Sequence, residues 1–134
     1  MKALGKHILA EFFECDHEIL KDTELIEKMM NEAAEKCGAT IVQSAFHTFN
    51  PYGVSGVVVI SESHLAIHTW PELGYAAVDV FTCGDTVDPW VACDYLKEAF
   101  KAENVDAVVM NRGELRKDEV IHQVPMIIAE DHLS

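Results

Sequence analysis

A chain of 134 residues with 23 Asp and Glu against 10 Lys and Arg carries a formal charge of −13. That balance excludes a nucleic-acid backbone as partner, since phosphates select clustered cations. A hydrophobic content of 49% suits one globular domain, 1–134, long enough for a real core, and no run of about 18 apolar residues marks a membrane span.

The N-terminal "MKALGKHILAEFFEC" has no small-residue cleavage site, so the expected setting is the cytoplasm. Cys15, Cys37, Cys83 and Cys93 lack CxxC spacing and are expected to be free thiols, mostly small buried groups. Residues 6–14 alternate and suit a first strand. Asp22 or Thr23 caps a helix running to Cys37, with Leu25, Ile26, Met29, Met30, Ala33, Ala34 and Cys37 on one face and Gly38 as its stop. That methionine-bearing stripe reads as core, not as a ligand box.

Strand follows at 39–49, a turn at "NPYG" (50–53), and a β-branched strand at 55–62, read as buried on both sides or packed under helices. Residues 64–70 alternate, with Leu65, Ile67 and Thr69 opposite His64, Ala66, His68 and Trp70. A loop at 71–74 leads to a strand at 75–84. A second helix is expected at about 89–103, with Trp90, Val91, Tyr95, Leu96, Ala99 and Phe100 inward, and a last strand at 106–113. The tail 114–134 is mixed, with a short apolar stretch at "VPMIIA". The order predicts an α+β, two-layer sandwich: an antiparallel β-sheet with two helices packed on one face.

Residues 61–72, "SESHLAIHTWPE", concentrate reactive side chains between apparent strands. His64 and His68, four apart, would share a face on a helix, but on a strand they stand roughly 13 Å apart, too far to share one ion. No metal is expected. A serine hydrolase lacks its GxSxG elbow, although convergence of Ser61, Ser63 and His68 stays open. Polar groups satisfied at a strand end would explain any one of these residues, though not their coincidence.

Residues 55–84, "SGVVVISESHLAIHTWPELGYAAVDVFTCG", closely resemble the S-adenosylmethionine decarboxylase proenzymes of the short prokaryotic type. The likeness extends to chain length, to "GKH" near the start, to "FHTFNPYGVSG" (46–56) and to the helix–strand order, and weakens in the tail. Amino-acid decarboxylation needs an electron sink that no natural side chain supplies, usually pyridoxal phosphate. This chain shows no Gly-rich phosphate cradle.

The resemblance implies instead a covalently bound pyruvoyl group derived from Ser63. The Ser63 hydroxyl attacks the Glu62 carbonyl, turning the amide into an ester. Elimination then cuts the chain into a β chain, 1–62, and an α chain, 63–134, leaving a dehydroalanine that hydrolyses to the ketone. The same resemblance gives His68 the proton transfer of processing, Ser55 the oxygen of the processing intermediate, and Cys83 the proton returned to the substrate after CO2 leaves. The ketone is expected to form a Schiff base with the substrate amine. Glu72 is matched to the ribose hydroxyls, Phe49 to adenine and the sulfonium, and Trp70 to the site wall; His64 receives no role.

The implied activity is decarboxylation of S-adenosylmethionine to the aminopropyl donor for spermidine synthesis. The implied assembly is a homodimer of αβ units with sites at the subunit boundary. The alternatives are a homologous pyruvoyl-dependent arginine or ornithine decarboxylase, and a non-catalytic regulatory homologue.

Overall fold

The structure is a computed structural model that describes residues 3–114. β1 (Gly5–Phe13) sends Ile8, Ala10 and Phe12 to one face and His7, Leu9, Glu11 and Phe13 to the other, the two-residue period of a strand. A single helical turn, α1 (His17–Leu20), begins where the Asp16 carboxylate accepts from the Ile19 amide at 3.1 Å. α2 (Thr23–Lys36) starts the same way, Asp22 accepting from the Leu25 amide at 3.1 Å, and stops at Gly38, whose φ of +94° favours a residue without Cβ. It buries Ile26, Met30, Ala33 and Ala34.

β2 (Thr40–Thr48), β3 (Val54–Ser61), β4 (Ser63–Trp70) and β5 (Tyr75–Cys83) come next, then α3 (Pro89–Ala99) and β6 (Asn104–Arg112). The six strands pair antiparallel in the order β2-β3-β4-β5-β1-β6. α2 packs over β2 and β3, and α3 over β1 and β5. Between these helices and the sheet lie Ile8, Phe12, Val58, Leu65, Ile67, Val78, Val80, Leu96 and Phe100, all buried. Each such side chain contributes about 1.5–3 kcal/mol by leaving water. This is the expected two-layer α+β arrangement. The opposite face of the sheet carries no helix among the described residues, and it is the face that bears the reactive side chains.

Several local expectations are corrected. A third helix, α1, and a 3-10 turn at Pro71–Leu73 are present, both too short to show a periodicity. Of the two readings of β3, packing under a helix holds and burial on both sides does not: Val58 and Ile60 face the helices while Val59 lies on the open face. α3 ends at Ala99 instead of about 103, because Lys101 turns to φ +56° and the Ala102 amide closes back on the Lys97 carbonyl at 3.0 Å. Asp88 caps α3 with Pro89 at its first position, which sets the phase so that Ala92, Cys93, Leu96 and Phe100 point inward. Trp90 and Val91, expected inside, are 40% and 38% exposed. The last strand begins at Asn104, two residues earlier than expected. The reading of "VPMIIA" falls outside the described residues. No helix among the described residues is long and apolar enough to cross a membrane.

Candidate active site

The expected site residues all map to the open face or its rim, but they divide into two groups. The first occupies one end of β3 and β4. Ser55 and His68 are register partners, and Ser55 Oγ lies 2.7 Å from His68 Nδ1. Phe49, Ser55, His68, Trp70 and Glu72 line one recess of about 290 Å³, closed on one side by the 50–53 turn. Gly53 shapes that turn at φ +130°, and the Phe49 amide donates to the Gly53 carbonyl at 2.8 Å.

Thr69 points the other way and anchors the group from beneath. Its hydroxyl donates to the Leu20 carbonyl at 2.8 Å and accepts from the Val54 amide at 2.9 Å. Buried and fully bonded, Thr69 ties β4 to α1 and to the start of β3, fixing the neighbours on either side, His68 and Trp70. The Trp70 ring stacks on Tyr75 at 5.2 Å, and Tyr75 in turn stacks on Phe13 at 5.5 Å. Glu72 rides on the Pro71–Leu73 turn, which Gly74 ends with φ +62°.

The second group sits at the opposite end of the face. Cys83 Sγ lies 3.9 Å from Ser63 Oγ. Strict alternation from Leu65 would turn Ser63 toward the helices with its register partner Thr82. Ser63 departs from that alternation with φ +108°, a conformation an L-residue adopts only at a cost of about 1–3 kcal/mol. Glu62 precedes it, exposed, in the turn between β3 and β4. Gly5 stands across from Cys83, and a Cβ there would come within 3.0 Å of Cys83 Sγ and 2.7 Å of the Thr82 carbonyl oxygen. The thiol therefore needs a glycine beneath it.

Cys83 is half-buried, whereas Cys15, Cys37 and Cys93 are buried, and none is in a disulfide. Burial pushes the Cys15 thiol up to about 11 and, with the nearby Asp94, the Cys93 thiol up to about 12.

Ser63 and His68 belong to one strand, five residues apart, so their Cα atoms stand roughly 17 Å from each other. Within one chain His68 does not reach the 62–63 peptide bond. Sequence reasoning expected sites at the subunit boundary without drawing this division between Ser63 and His68, and it missed Thr69 and Gly5 as supports. The alternation that hides Thr69 among core positions was visible, but its two hydrogen bonds depend on where α1 docks.

Residues 6–113 match the family model described as S-adenosylmethionine decarboxylase. The chain is 62% identical over 120 residues to the S-adenosylmethionine decarboxylase proenzyme of Thermotoga maritima, covering 90% of this chain and 91% of the relative. It is 65% identical, with the same coverage, to the proenzyme of that description from Thermosipho melanesiensis. Among solved structures it superposes on the adenosylmethionine decarboxylase of Aquifex aeolicus VF5 with a TM-score of 0.82 at 36% identity, over 90% of this chain and 100% of the other.

Proposed function

The chain belongs to the S-adenosylmethionine decarboxylase family and decarboxylates S-adenosylmethionine, and on that premise we propose that it works as a self-cleaved homodimer whose covalent pyruvoyl group is made from Ser63. The product is the aminopropyl donor of spermidine synthesis. The relatives' names lend nothing to the arginine or ornithine alternative.

The residues present suit that group. Ser63 is held at φ +108° in a turn, with its hydroxyl beside a thiol and its preceding carbonyl carried by an exposed residue. Strain at Ser63 is relieved when the 62–63 amide rearranges to an ester, which favours attack by Ser63 Oγ on the Glu62 carbonyl carbon. A ketone at position 63 supplies the electron sink that the reaction requires.

Placement supports the other roles. The Ser55 contact at Nδ1 leaves Nε2 of His68 free to accept and return a proton. Cys83, already next to residue 63, is placed to protonate the substrate carbon once CO2 has left. Phe49 offers an aromatic face to adenine and the sulfonium, Glu72 accepts from the ribose hydroxyls, and Trp70 walls the recess.

The observation that carries this reading is the separation of the two groups on one face. A two-fold axis lying parallel to the sheets, between two copies stacked open face to open face and running across the strands over Ala66 in mid-β4, exchanges the strand ends, so that Ser63 and Cys83 of one chain meet Ser55 and His68 of its partner. The face is suited to being covered: Leu9, Phe13, Val59, Val108 and Met110 are exposed on it. A cytoplasmic setting accords with four free thiols.

Intact-mass spectrometry tests the processing step. Fragments 1–62 and 63–134 are expected, the second beginning with a keto group in place of an amine, while Ser63→Ala stays one chain. A single uncut wild-type chain with full activity would overturn the proposal.

A further inference from the structure

His64 and the His7 of "GKH" have no part in the scheme above, yet strand pairing brings them together. Each is the register partner of Phe81 on β5, His7 from β1 and His64 from β4. Asp79, two residues before Phe81 on the same open face, completes a set whose ligand atoms all lie within 4.8 Å of one another. His7 Nε2 is 3.6 Å from Asp79 Oδ2. Phe81 braces both imidazoles, stacked on His7 at 5.0 Å and edge-on to His64 at 5.8 Å. His7 Nε2 is buried without a hydrogen-bond partner, a condition that costs about 1–3 kcal/mol and is rare in native folds.

Two imidazoles and one carboxylate suit a borderline divalent transition ion, whereas magnesium and calcium favour all-oxygen shells. Four-coordinate zinc with ligands at about 2.0–2.2 Å places them roughly 3.3–3.6 Å apart, so the His7–Asp79 pair is already near that spacing and His64 has at most about 1.5 Å to close. We propose that His7, His64 and Asp79 bind one zinc-class divalent cation, leaving a fourth coordination position for water or another small donor. The site is complete within one chain, and its existence does not rest on the decarboxylase reading.

Arg112 gives the proposal a second handle. Its NH1 donates to His7 Nδ1 at 2.8 Å, which makes Nδ1 an acceptor and leaves the proton of a neutral ring on Nε2, the atom facing Asp79. A cation bound at Nε2 moves that proton to Nδ1 and displaces the Arg112 contact. Arg112 is therefore a competitor for the site, through both its charge and its hydrogen bond.

The test is titration of the full-length, metal-stripped protein with Co2+, read by the visible absorption of tetrahedral cobalt. One ion per chain is expected, displaced by Zn2+ and unaffected by excess Mg2+. His64→Gln and Asp79→Asn are each expected to weaken binding by at least about tenfold. Arg112→Gln is expected to tighten it, an opposite sign that general loosening of the fold would not produce. Circular dichroism confirms that each variant is folded, and His64→Asn serves as the second substitution at its position.

Absence of a saturable cobalt signal would overturn the site. So would a signal that survives the His64→Gln/Asp79→Asn double variant, or one lost in Cys83→Ser but retained in His64→Gln, which places the ion on the thiol.

Discussion

Ser63→Ala and His68→Ala, expressed together in one cell, test whether the site spans two chains. Each variant alone is expected to stay uncut, the first for want of the hydroxyl and the second for want of the proton carrier. Proton transfer needs heavy atoms about 2.6–3.2 Å apart, or one bridging water. The five-residue span of β4 holds residues 63 and 68 of one chain roughly 17 Å apart. In a mixed dimer, the intact Ser63 of the His68→Ala chain faces the intact His68 of the Ser63→Ala chain. With random pairing, about half of the His68→Ala chains are then cut, and about a quarter of wild-type activity per total chain appears. Mass spectrometry, with the two variants distinguished by tag, counts the cut chains; release of labelled CO2 measures the activity. No cleavage in co-purified mixed dimers would refute the two-chain site, because their pairing is then established and only the chemistry has failed.

Ser55→Ala is expected to slow cleavage about tenfold to a hundredfold without changing the fold, read from a gel time course. Thr69→Val removes both buried hydrogen bonds and is expected to lower stability by about 1–3 kcal/mol in urea unfolding, while leaving the Ser63–Cys83 end unchanged. Gly5→Ala pushes a methyl against Cys83 and the Thr82 carbonyl; about 1–3 kcal/mol of stability is lost, and turnover falls more than cleavage does. Iodoacetamide at about pH 8, followed by peptide mapping, is expected to label half-buried Cys83 first. Burial shields Cys15, Cys37 and Cys93 and holds all three thiols above their ordinary range, so they remain mostly protonated there. Equal labelling of all four would contradict the packing described.

α2 was legible in the sequence because its signals agree: Asp22 at the cap, apolar residues at three- and four-residue steps, and Gly38 at the stop. α3 was legible in kind but not in phase or end. Its stop is a lysine at φ +56°, where composition gives no glycine to read, and the cap rather than the apolar count decides that Trp90 points out. The reactive segment was legible as a group of residues, since each expected side chain lies on or beside the open face. Its division was not. Ser63 and His68 are neighbours in a written line, and only the extended geometry of β4 places them at opposite ends. The same limit hid the His7–His64 pairing, which exists because β5 lies between β4 and β1, an order that no local pattern states.

The position of the proposed cut, between Glu62 and Ser63, has a consequence for the matured molecule. It falls in the turn joining β3 to β4, so the ladder between those strands survives the break. β1, from the first fragment, is clasped between β5 and β6, both from the second. The two proposed fragments are thus interleaved through the sheet and are expected to stay together without a covalent link. Once denatured, however, they must find each other by collision, so recovery of the mature enzyme becomes dependent on concentration, whereas the uncut precursor refolds as a single chain.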